Sequence, residues 1–396
     1  MQAESRNITK LHIVRFLSTL YFYHHVVSIY LQGRGLSFVE INSLWGIIVF
    51  AQAICEVPTG IIADKIGRKP SIILAQALQL SGELIFLFGW KYPHFIISSI
   101  AGGIGFSFLS GSFEAMMYDS LKEVRREHEM QKVVGFNGAL SLLATVIGTF
   151  VGGVITARIE LRTMSLSIII TSVFVGLSLF TAIFLKEPVP VSRHSKKSAI
   201  VILKESIGLL KNDKSLLRIV ILALLVTPFV NYLMNLYPPF FKEINVSGWM
   251  FGPTLGVASL SGFFMSKYTH VFEKSLGAKW AVLLATVIPG VFYLLLFGFL
   301  IPAAAVPIVI VSFGIMQMQR PIFLDYMNRK IRTETRATVL SLISGLTGLY
   351  VALMGLVIGA VADVAVRYAF LLMGVVITIS AFALRIGERH VQPGGN

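Results

Sequence analysis

Twelve long apolar stretches restrict what this chain can fold into more than any other feature. Each is continuously apolar and close to the roughly 20 residues that one helical crossing of a bilayer requires. None shows the alternation of apolar and polar residues that is typical of barrel strands. The expected spans are 11–31, 40–63, 71–90, 94–119, 136–157, 164–185, 217–241, 249–271, 279–300, 303–324, 337–360 and 364–385. The sequence therefore predicts an all-α integral membrane protein.

The composition agrees with a chain that is solvated mainly by lipid. Hydrophobic residues make up 55% of the 396 and charged residues only 14%, whereas soluble domains carry about 25% charged residues. The formal net charge is +14. The basic residues lie between the apolar runs, which is typical of membrane proteins and argues against a nucleic-acid-binding function. The first span is long and carries Arg15, His24 and His25, so it is not a cleavable signal peptide.

Lysine and arginine are concentrated in alternate loops. The loop after span 2 holds Lys65, Arg68 and Lys69, and the connection 186–218 carries eight basic residues. The loops on the other side carry few. Because cytoplasmic loops are enriched in lysine and arginine, the basic side is expected to be cytoplasmic, with both termini inside. With the short loops and tails, this predicts a multi-pass protein of a prokaryotic cell (inner) membrane.

The connection 186–218 is the one long polar interruption of the apolar pattern. It predicts an N-terminal six-helix bundle over 1–185, a cytoplasmic linker over 186–218 and a C-terminal six-helix bundle over 219–396. Internal similarity supports two related halves. Asp119 and Asp325 end two spans 206 residues apart, and the small-residue patterns that begin at Gly148 and Gly355 lie 207 residues apart.

A short charged segment connects spans 2 and 3, with the sequence Gly60-Ile-Ile-Ala-Asp64-Lys-Ile-Gly67-Arg68-Lys69. It closely resembles the loop between the second and third helices of major facilitator superfamily transporters, and the chain is similar to bacterial drug/proton antiporter-type members of that superfamily. The resemblance implies the superfamily's fold, in which two six-helix bundles expose a central cavity to one side of the membrane at a time.

The resemblance also implies a cytoplasmic latch. Asp64 would face a helix end, and Arg68 would meet an acid at the end of helix 4, where this chain has Asp119. The alternative is ordinary charge balance beside a membrane span. The corresponding loop of the second half is expected at Ser266–His270, where the pattern is degenerate. The expected gating residues are Gly60, Asp64, Gly67, Arg68, Lys69 and Asp119.

Ionisable residues within the spans are candidates for proton coupling, because charges at membrane depth are costly and usually face the bundle interior. Arg15, Glu56 and Glu114 fall at similar depth in three spans of one half. We hypothesise that Arg15 pairs with one of the two carboxylates and leaves the other able to bind a proton. The alternative is a static ion cluster that joins helices.

Three further ionisable residues are less readily assigned. His24 and His25 lie near the middle of span 1 among Tyr21 and Tyr23. Adjacent helical positions point about 100° apart, so at most one histidine is expected to face a cavity. Proton transfer and a structural hydrogen bond remain equal alternatives for them. Glu83, in span 3, is a buried acid without an assigned role.

The second half supplies polar candidates for a substrate cavity. Asn231 and Asn235 share a helical face at i,i+4, and Arg320 occupies the repeat position of Glu114. Hydrogen bonding between helices is the alternative for each of them. With the two tyrosines of span 1, the cavity candidates are Tyr21, Tyr23, Asn231, Tyr232, Asn235, Gln317 and Arg320.

These patterns favour a secondary active transporter, with proton-coupled efflux of amphipathic or drug-like molecules as the preferred version. The alternative is a symporter or facilitator that imports a small metabolite. Ser99 and Thr149 replace an Arg and a Pro of related exporters, which weakens the case for antiport. Protease and hydrolase motifs are incomplete or missing, so an enzyme is not expected. The expected partners are a small-molecule substrate, protons and membrane lipid, with no cofactor, no metal and a monomeric state.

Overall fold

The computed structural model describes residues 2–188, 213–331 and 336–391, and the long elements in these ranges are all α-helices. Short 3-10 turns precede three of them. The helices are α1 (Gln2–Thr19), α2 (Val27–Gly33), α3 (Phe38–Ile66), α4 (Arg68–Phe88), α5 (Tyr92–Glu123), α6 (Met130–Ile155), α7 (Leu161–Ile183), α8 (Lys214–Val226), α9 (Phe229–Glu243), α10 (Phe251–Lys267), α11 (Thr269–Gly298), α12 (Pro302–Met316), α13 (Gln319–Lys330), α14 (Arg336–Val364), α15 (Val366–Ala383) and α16 (Glu388–Val391).

Within these ranges, ten helical stretches are long and apolar enough to cross a membrane. The two expected spans that are not among them are the first and the eighth. Span 1 is divided between α1 and α2, and the apolar part of span 8 is α10, which has only 17 residues. Both stretches are helical, so the all-α architecture is confirmed.

Apolar side chains on the outside of the helices mark the surfaces that face lipid. On α3, Phe50, Ile54, Val57 and Ile61 recur every three or four residues and are each at least half exposed. A stripe of this kind would be unstable in water, whereas hydrocarbon solvates it. Many of the side chains buried between helices are apolar, as in the cluster of Leu11, Val14, Ile72, Phe113 and Met116.

Local sequence signals explain where several helices begin and end. Ser37 and Glu40 form a complete capping box at the start of α3. Gly67 ends that helix with φ 99°, a conformation that glycine adopts without a steric penalty. Pro228 stands directly before α9 and separates it from α8, as expected for a residue that cannot continue a helical hydrogen-bond ladder.

The chain divides into two compact units. The first contains residues 1–194 and 247–256, and the second contains 195–246 and 257–396. The division falls inside the predicted linker 186–218, whose residues 189–212 lie outside the described part of the chain. The assignment of Ser247–Gly256 to the first unit differs from the predicted domain boundary, which placed all of span 8 in the second bundle.

Candidate functional site

Span 1 is interrupted at Leu20–Tyr23, in the middle of the first unit. The chain leaves the helix after Thr19 and resumes as a 3-10 turn at His24–Val26. A broken helix leaves backbone groups that must find other partners inside a membrane protein. The N–H of Phe22 finds one by donating to the Thr171 hydroxyl on α7 at 3.0 Å.

Two glycines of α6 make room for this interruption. A Cβ on Gly148 would lie 2.7 Å from the Tyr21 carbonyl oxygen, and a Cβ on Gly152 would overlap the Phe22 carbonyl oxygen. The sequence predicted a small-residue face here for close helix packing. The structure gives the physical reason. Helix α6 lies against the non-helical backbone of span 1, where any larger side chain on α6 would collide with it.

Glu83 of α4 is the buried acid of this region, with only 9% of its surface exposed. The Tyr23 hydroxyl donates to its carboxylate, at 2.9 Å from one oxygen and 3.1 Å from the other. Tyr21 lies close enough to interact with the same carboxylate, but the hydrogen bond with defined geometry is the one from Tyr23. Among the described residues, no lysine, arginine or histidine nitrogen lies within 4 Å of this carboxylate. Phenol hydroxyls are therefore its main polar neighbours.

The two histidines of span 1 diverge. The His24 ring stacks on Tyr21 with centroids 4.1 Å apart and meets Tyr23 edge-on at 5.5 Å. His25 is fully buried, and its Nε2 lies 2.8 Å from the Thr156 hydroxyl on α6. His24 and Tyr21 therefore lie between the Glu83 region and the interior space described next, while His25 joins two helices.

A cavity of about 210 Å³ opens beside the interruption. Its walls come from the last turns of α1, from the interrupted segment, and from α4, α5 and α6. The lining residues are Arg15, Ser18, Thr19, Tyr21, His24, Gln79, Phe106, Leu109, Thr145 and Thr149. Of the residues predicted to act in proton coupling or substrate binding, Arg15, Tyr21 and His24 therefore meet at one place, with Tyr23 and Glu83 directly behind them.

Arg15 supplies the guanidinium group that lines this cavity. It does not form the predicted ion pair with Glu56 or Glu114. Its Nε donates to the Ser141 hydroxyl at 2.8 Å, and no carboxylate of the described chain lies within 4 Å of it. Glu114 acts on it electrostatically from farther away. Glu56 and Glu114 are both exposed. The expected buried cluster of Arg15 with these two acids is therefore absent among the described residues. The buried carboxylate of this region is that of Glu83 instead.

Sequence reasoning missed most of the remaining cavity wall. Gln76, Gln79 and Glu83 form a polar stripe at i, i+3 and i+7 on α4, and each is at least nine-tenths buried. Such a stripe in an apolar span indicates a helix face turned toward protein. Ser18, Thr19, Thr145 and Thr149 were not predicted to line a cavity, because serine and threonine are common in membrane helices, where their hydroxyls donate to carbonyls of the same helix, as these four do.

The loop between α3 and α4 adopts a defined turn. Arg68 pairs with Asp64 at 3.0 Å. Glu187, directly after α7, accepts hydrogen bonds from the backbone N–H groups of Arg68 and Lys69, each at 2.6 Å. This carboxylate therefore caps the N-terminus of α4, a role that sequence reasoning did not assign.

Two other expected gating residues lie on the adjoining helices. Asp119 is half-buried near the end of α5. Gly60 lies inside α3, and apart from the backbone of its own helix no described residue comes within 4 Å of where its Cβ would be. Within the described part of the chain, no close contact therefore requires a glycine at this position.

The second unit has a matching turn, but not where the sequence placed it. Ser266–His270 lies at the junction of α10 and α11, whereas the glycine turn is Gly277, with φ 79° and ψ 163° against 99° and 170° at Gly67. Glu388 approaches this turn and accepts from the Lys279 N–H at 3.3 Å. The turn glycine and an approaching carboxylate are present here, but the surrounding sequence differs from Asp64–Lys69, which explains why the sequence pattern pointed to the wrong loop.

The polar candidates of the second unit differ in their burial. Tyr232 is fully buried and donates to the Val351 carbonyl, so it joins two helices. Asn231, Asn235 and Gln317 are half-buried, and Arg320 is exposed. Arg329 pairs with Asp325 at 2.5 Å and with Glu273 at 3.2 Å, which links the ends of α13 and the α11 turn. Of the two units, the first therefore contains the clearer candidate site.

Comparison with known proteins assigns the family. Residues 11–354 match the sequence profile described as Major Facilitator Superfamily. The chain belongs to the major facilitator superfamily. It is thus a multi-pass membrane protein of a family whose members transport small molecules across membranes, and the sequence-based recognition is confirmed.

Individual relatives of this superfamily member are distant. It is 24% identical over 361 residues to the uncharacterized MFS-type transporter YxaM of Bacillus subtilis (strain 168), covering 90% of this chain and 88% of that one. It is 24% identical over 128 residues to the quinolone resistance protein NorA of Staphylococcus aureus (strain MRSA252), covering 32% of each chain. Among solved structures, the nucleoside transporter NupG superposes with a TM-score of 0.78 at 13% identity, covering 96% of this chain and 98% of that one. That likeness shows the fold.

Proposed function

We propose that this protein is a proton-coupled secondary transporter that exports amphipathic or drug-like small molecules by alternating access. The observation that carries the proposal is the buried carboxylate of Glu83, which accepts a hydrogen bond from the Tyr23 hydroxyl behind the cavity of the first unit. An unpaired carboxylate in a low-dielectric site is costly, and a bound proton removes that cost. Glu83 is accordingly the residue we propose to bind and release the transported proton.

Tyr21 and His24 connect this carboxylate to the cavity. Both line the cavity and stack on each other, and Tyr21 also reaches Glu83. We assign them to proton exchange between Glu83 and cavity water. Because of their exposure, Glu56 and Glu114 fit electrostatic roles better, and the contact of His25 with Thr156 fits a structural one.

The cytoplasmic loop supplies the proposed gate. Asp64 and Arg68 pair beside the turn at Gly67, and Asp119 lies near the end of α5. In the proposed cycle these residues, with Lys69, hold the cytoplasmic side closed until their contacts are exchanged. The basic loops support cytoplasmic termini in a cell (inner) membrane, and we propose a monomer as the working unit.

Efflux is preferred over import on two grounds. Beside its polar lining the cavity has an apolar part, formed by Phe106, Leu109 and the stacked rings of Tyr21 and His24, as suits an amphipathic solute. The partial similarity to NorA, which is named a quinolone resistance protein, also favours export. Import of a small metabolite by proton symport is the second candidate, favoured by the polar lining from Arg15, Ser18 and Gln79.

Transport in proteoliposomes with an acidic lumen tests the proposal. An exporter that exchanges solute for protons accumulates solute in that lumen as protons leave. The Glu83→Gln variant is expected to lose gradient-driven accumulation while retaining solute exchange without a gradient, because the side chain can no longer release a proton. Glu127→Gln, in an exposed turn, is the matched control. Gradient-driven accumulation that persists in Glu83→Gln excludes Glu83, and uptake driven by the opposite gradient supports symport.

A further inference from the structure

We infer that the cavity of the first unit takes an organic anion, binding its carboxylate or phosphate group on Arg15 and its ring on the Tyr21–His24 stack. This inference rests on the proposed transport function and names the class of solute. It follows from the charge of the cavity wall, from the hydrogen bonds already made within it and from the place of its aromatic rings.

Arg15 has donors to spare. Its Nε is used by Ser141, while its two terminal nitrogens make no hydrogen bond and no ion pair within 4 Å in the described part of the chain. These nitrogens belong to a planar group whose paired N–H bonds match the two oxygens of a carboxylate or phosphate. A guanidinium that faces a cavity and forms no ion pair within 4 Å can accept an anion there.

The hydroxyl groups of the serine and threonines in the wall do not compete for this role, and the amide of Gln79, which also lines the cavity, carries no charge. The hydroxyls of Thr19, Thr145 and Thr149 donate to carbonyls at 2.7–2.9 Å within their helices, and Ser18 donates to the Arg15 carbonyl at 3.2 Å. Their protons are therefore committed, which leaves Arg15 as the charged donor among the lining residues. A cationic solute would meet this charge directly, with the nearest buried acid behind the tyrosines.

The apolar part of the wall determines what else the solute carries. Tyr21 and His24 present stacked rings 4.1 Å apart, and Phe106 and Leu109 also line the cavity. Planar rings favour offset stacking with other aromatic groups. At about 210 Å³ the cavity is smaller than the roughly 300–1,000 Å³ of sites that enclose whole drug-sized molecules. It accommodates an anionic head group and a ring.

Binding of three naphthalene compounds with different head groups tests this inference on the purified full-length protein. The probes are 1-naphthoate, the neutral 1-naphthalenemethanol and the cationic 1-naphthylmethylamine, with affinity measured by equilibrium dialysis. We expect the carboxylate to bind at least tenfold more tightly than the alcohol, and the amine to bind most weakly. Arg15→Gln is expected to remove the preference for the carboxylate, and Arg15→Lys to restore part of it.

Arg162→Gln is the matched control, since Arg162 is an exposed residue at the start of α7, and it should bind like the wild type. The inference is overturned if the alcohol or amine binds as well as the carboxylate, if Arg15→Gln keeps the preference, or if none of the three binds. This measurement needs no gradient and does not involve Glu83. Failure of anion binding is therefore distinguishable from failure of proton coupling, which the vesicle experiment measures on its own.

Discussion

At the scale of single residues, the buried interactions around Glu83 matter most. A carboxylate in the interior of a membrane protein is tolerated only when other groups satisfy it. Here the donor with defined geometry is the Tyr23 hydroxyl, which is within 3.1 Å of both carboxylate oxygens. The stability of this region should therefore depend on one phenol hydroxyl.

Tyr23→Phe is predicted to destabilise the protein by about 1–3 kcal/mol, because it leaves a buried acceptor without its donor. The free energy of unfolding in mild detergent measures the effect. In a Glu83→Gln background the same substitution should cost less, since the neutral amide requires less compensation. Equal costs in both backgrounds would show that Tyr23 and Glu83 are not energetically coupled.

Gly67 is a second residue whose identity the structure explains. Its φ of 99° lies in the region that disfavours side chains, and an added Cβ would lie 2.7 Å from the Glu187 Oε1. Gly67→Ala is predicted to lower the free energy of unfolding by about 1–2 kcal/mol, as measured by thermal or denaturant unfolding.

Gly60→Ala on the neighbouring helix is the matched control for Gly67→Ala. It has open space around it and a helical backbone, so it should be neutral or stabilising by about 0.5–1 kcal/mol. Equal effects of the two substitutions would contradict the role assigned to the Gly67 turn.

At the scale of elements, the interrupted span 1 organises the site. Its exposed backbone packs on α6, its aromatic residues contact α4, and its last helical turn carries Arg15. Discontinuous helices mark binding sites in many transporters, because their free ends and unwound backbone line the cavity. In the second unit, span 7 is likewise divided into α8 and α9, and span 10 is divided into α12 and α13. Span 4 of the first unit, by contrast, is the single helix α5.

Packing of α6 on the interruption makes Gly152 a sensitive position. Gly152→Ala is predicted to displace span 1, because the added methyl overlaps the Phe22 carbonyl and also approaches the His25 ring at 2.7 Å. We expect this variant to bind 1-naphthoate more weakly than the wild type and to unfold at a lower temperature. Gly138→Ala, on the same helix, should leave both unchanged, because apart from the backbone of α6 itself no described residue lies within 4 Å of the added Cβ. Normal binding in the Gly152 variant would indicate that α6 does not hold the interruption in place.

At the scale of the whole molecule, the sequence predicted the architecture better than the site. Long apolar runs and basic loops have few physical solutions in lipid, so the spans and the loop after α3 were predictable. The interruption of span 1 was not, because its cause lies in contacts with Gly148 and Gly152, which are distant in sequence. The burial of Glu83 rather than Glu56 or Glu114 also depends on how the helices rotate about their axes. Periodicity in a uniformly apolar span does not determine that rotation.

The proposed transport cycle depends on Glu83 as the residue that gains and loses the transported proton. Infrared difference spectroscopy of the membrane-reconstituted protein, comparing acidic with alkaline buffer, tests this role of Glu83. We predict a carboxylic-acid C=O band in acidic buffer that disappears in alkaline buffer, that is lost in Glu83→Gln and that is retained in Glu56→Gln. A band that persists in Glu83→Gln and disappears in Glu56→Gln would contradict the account.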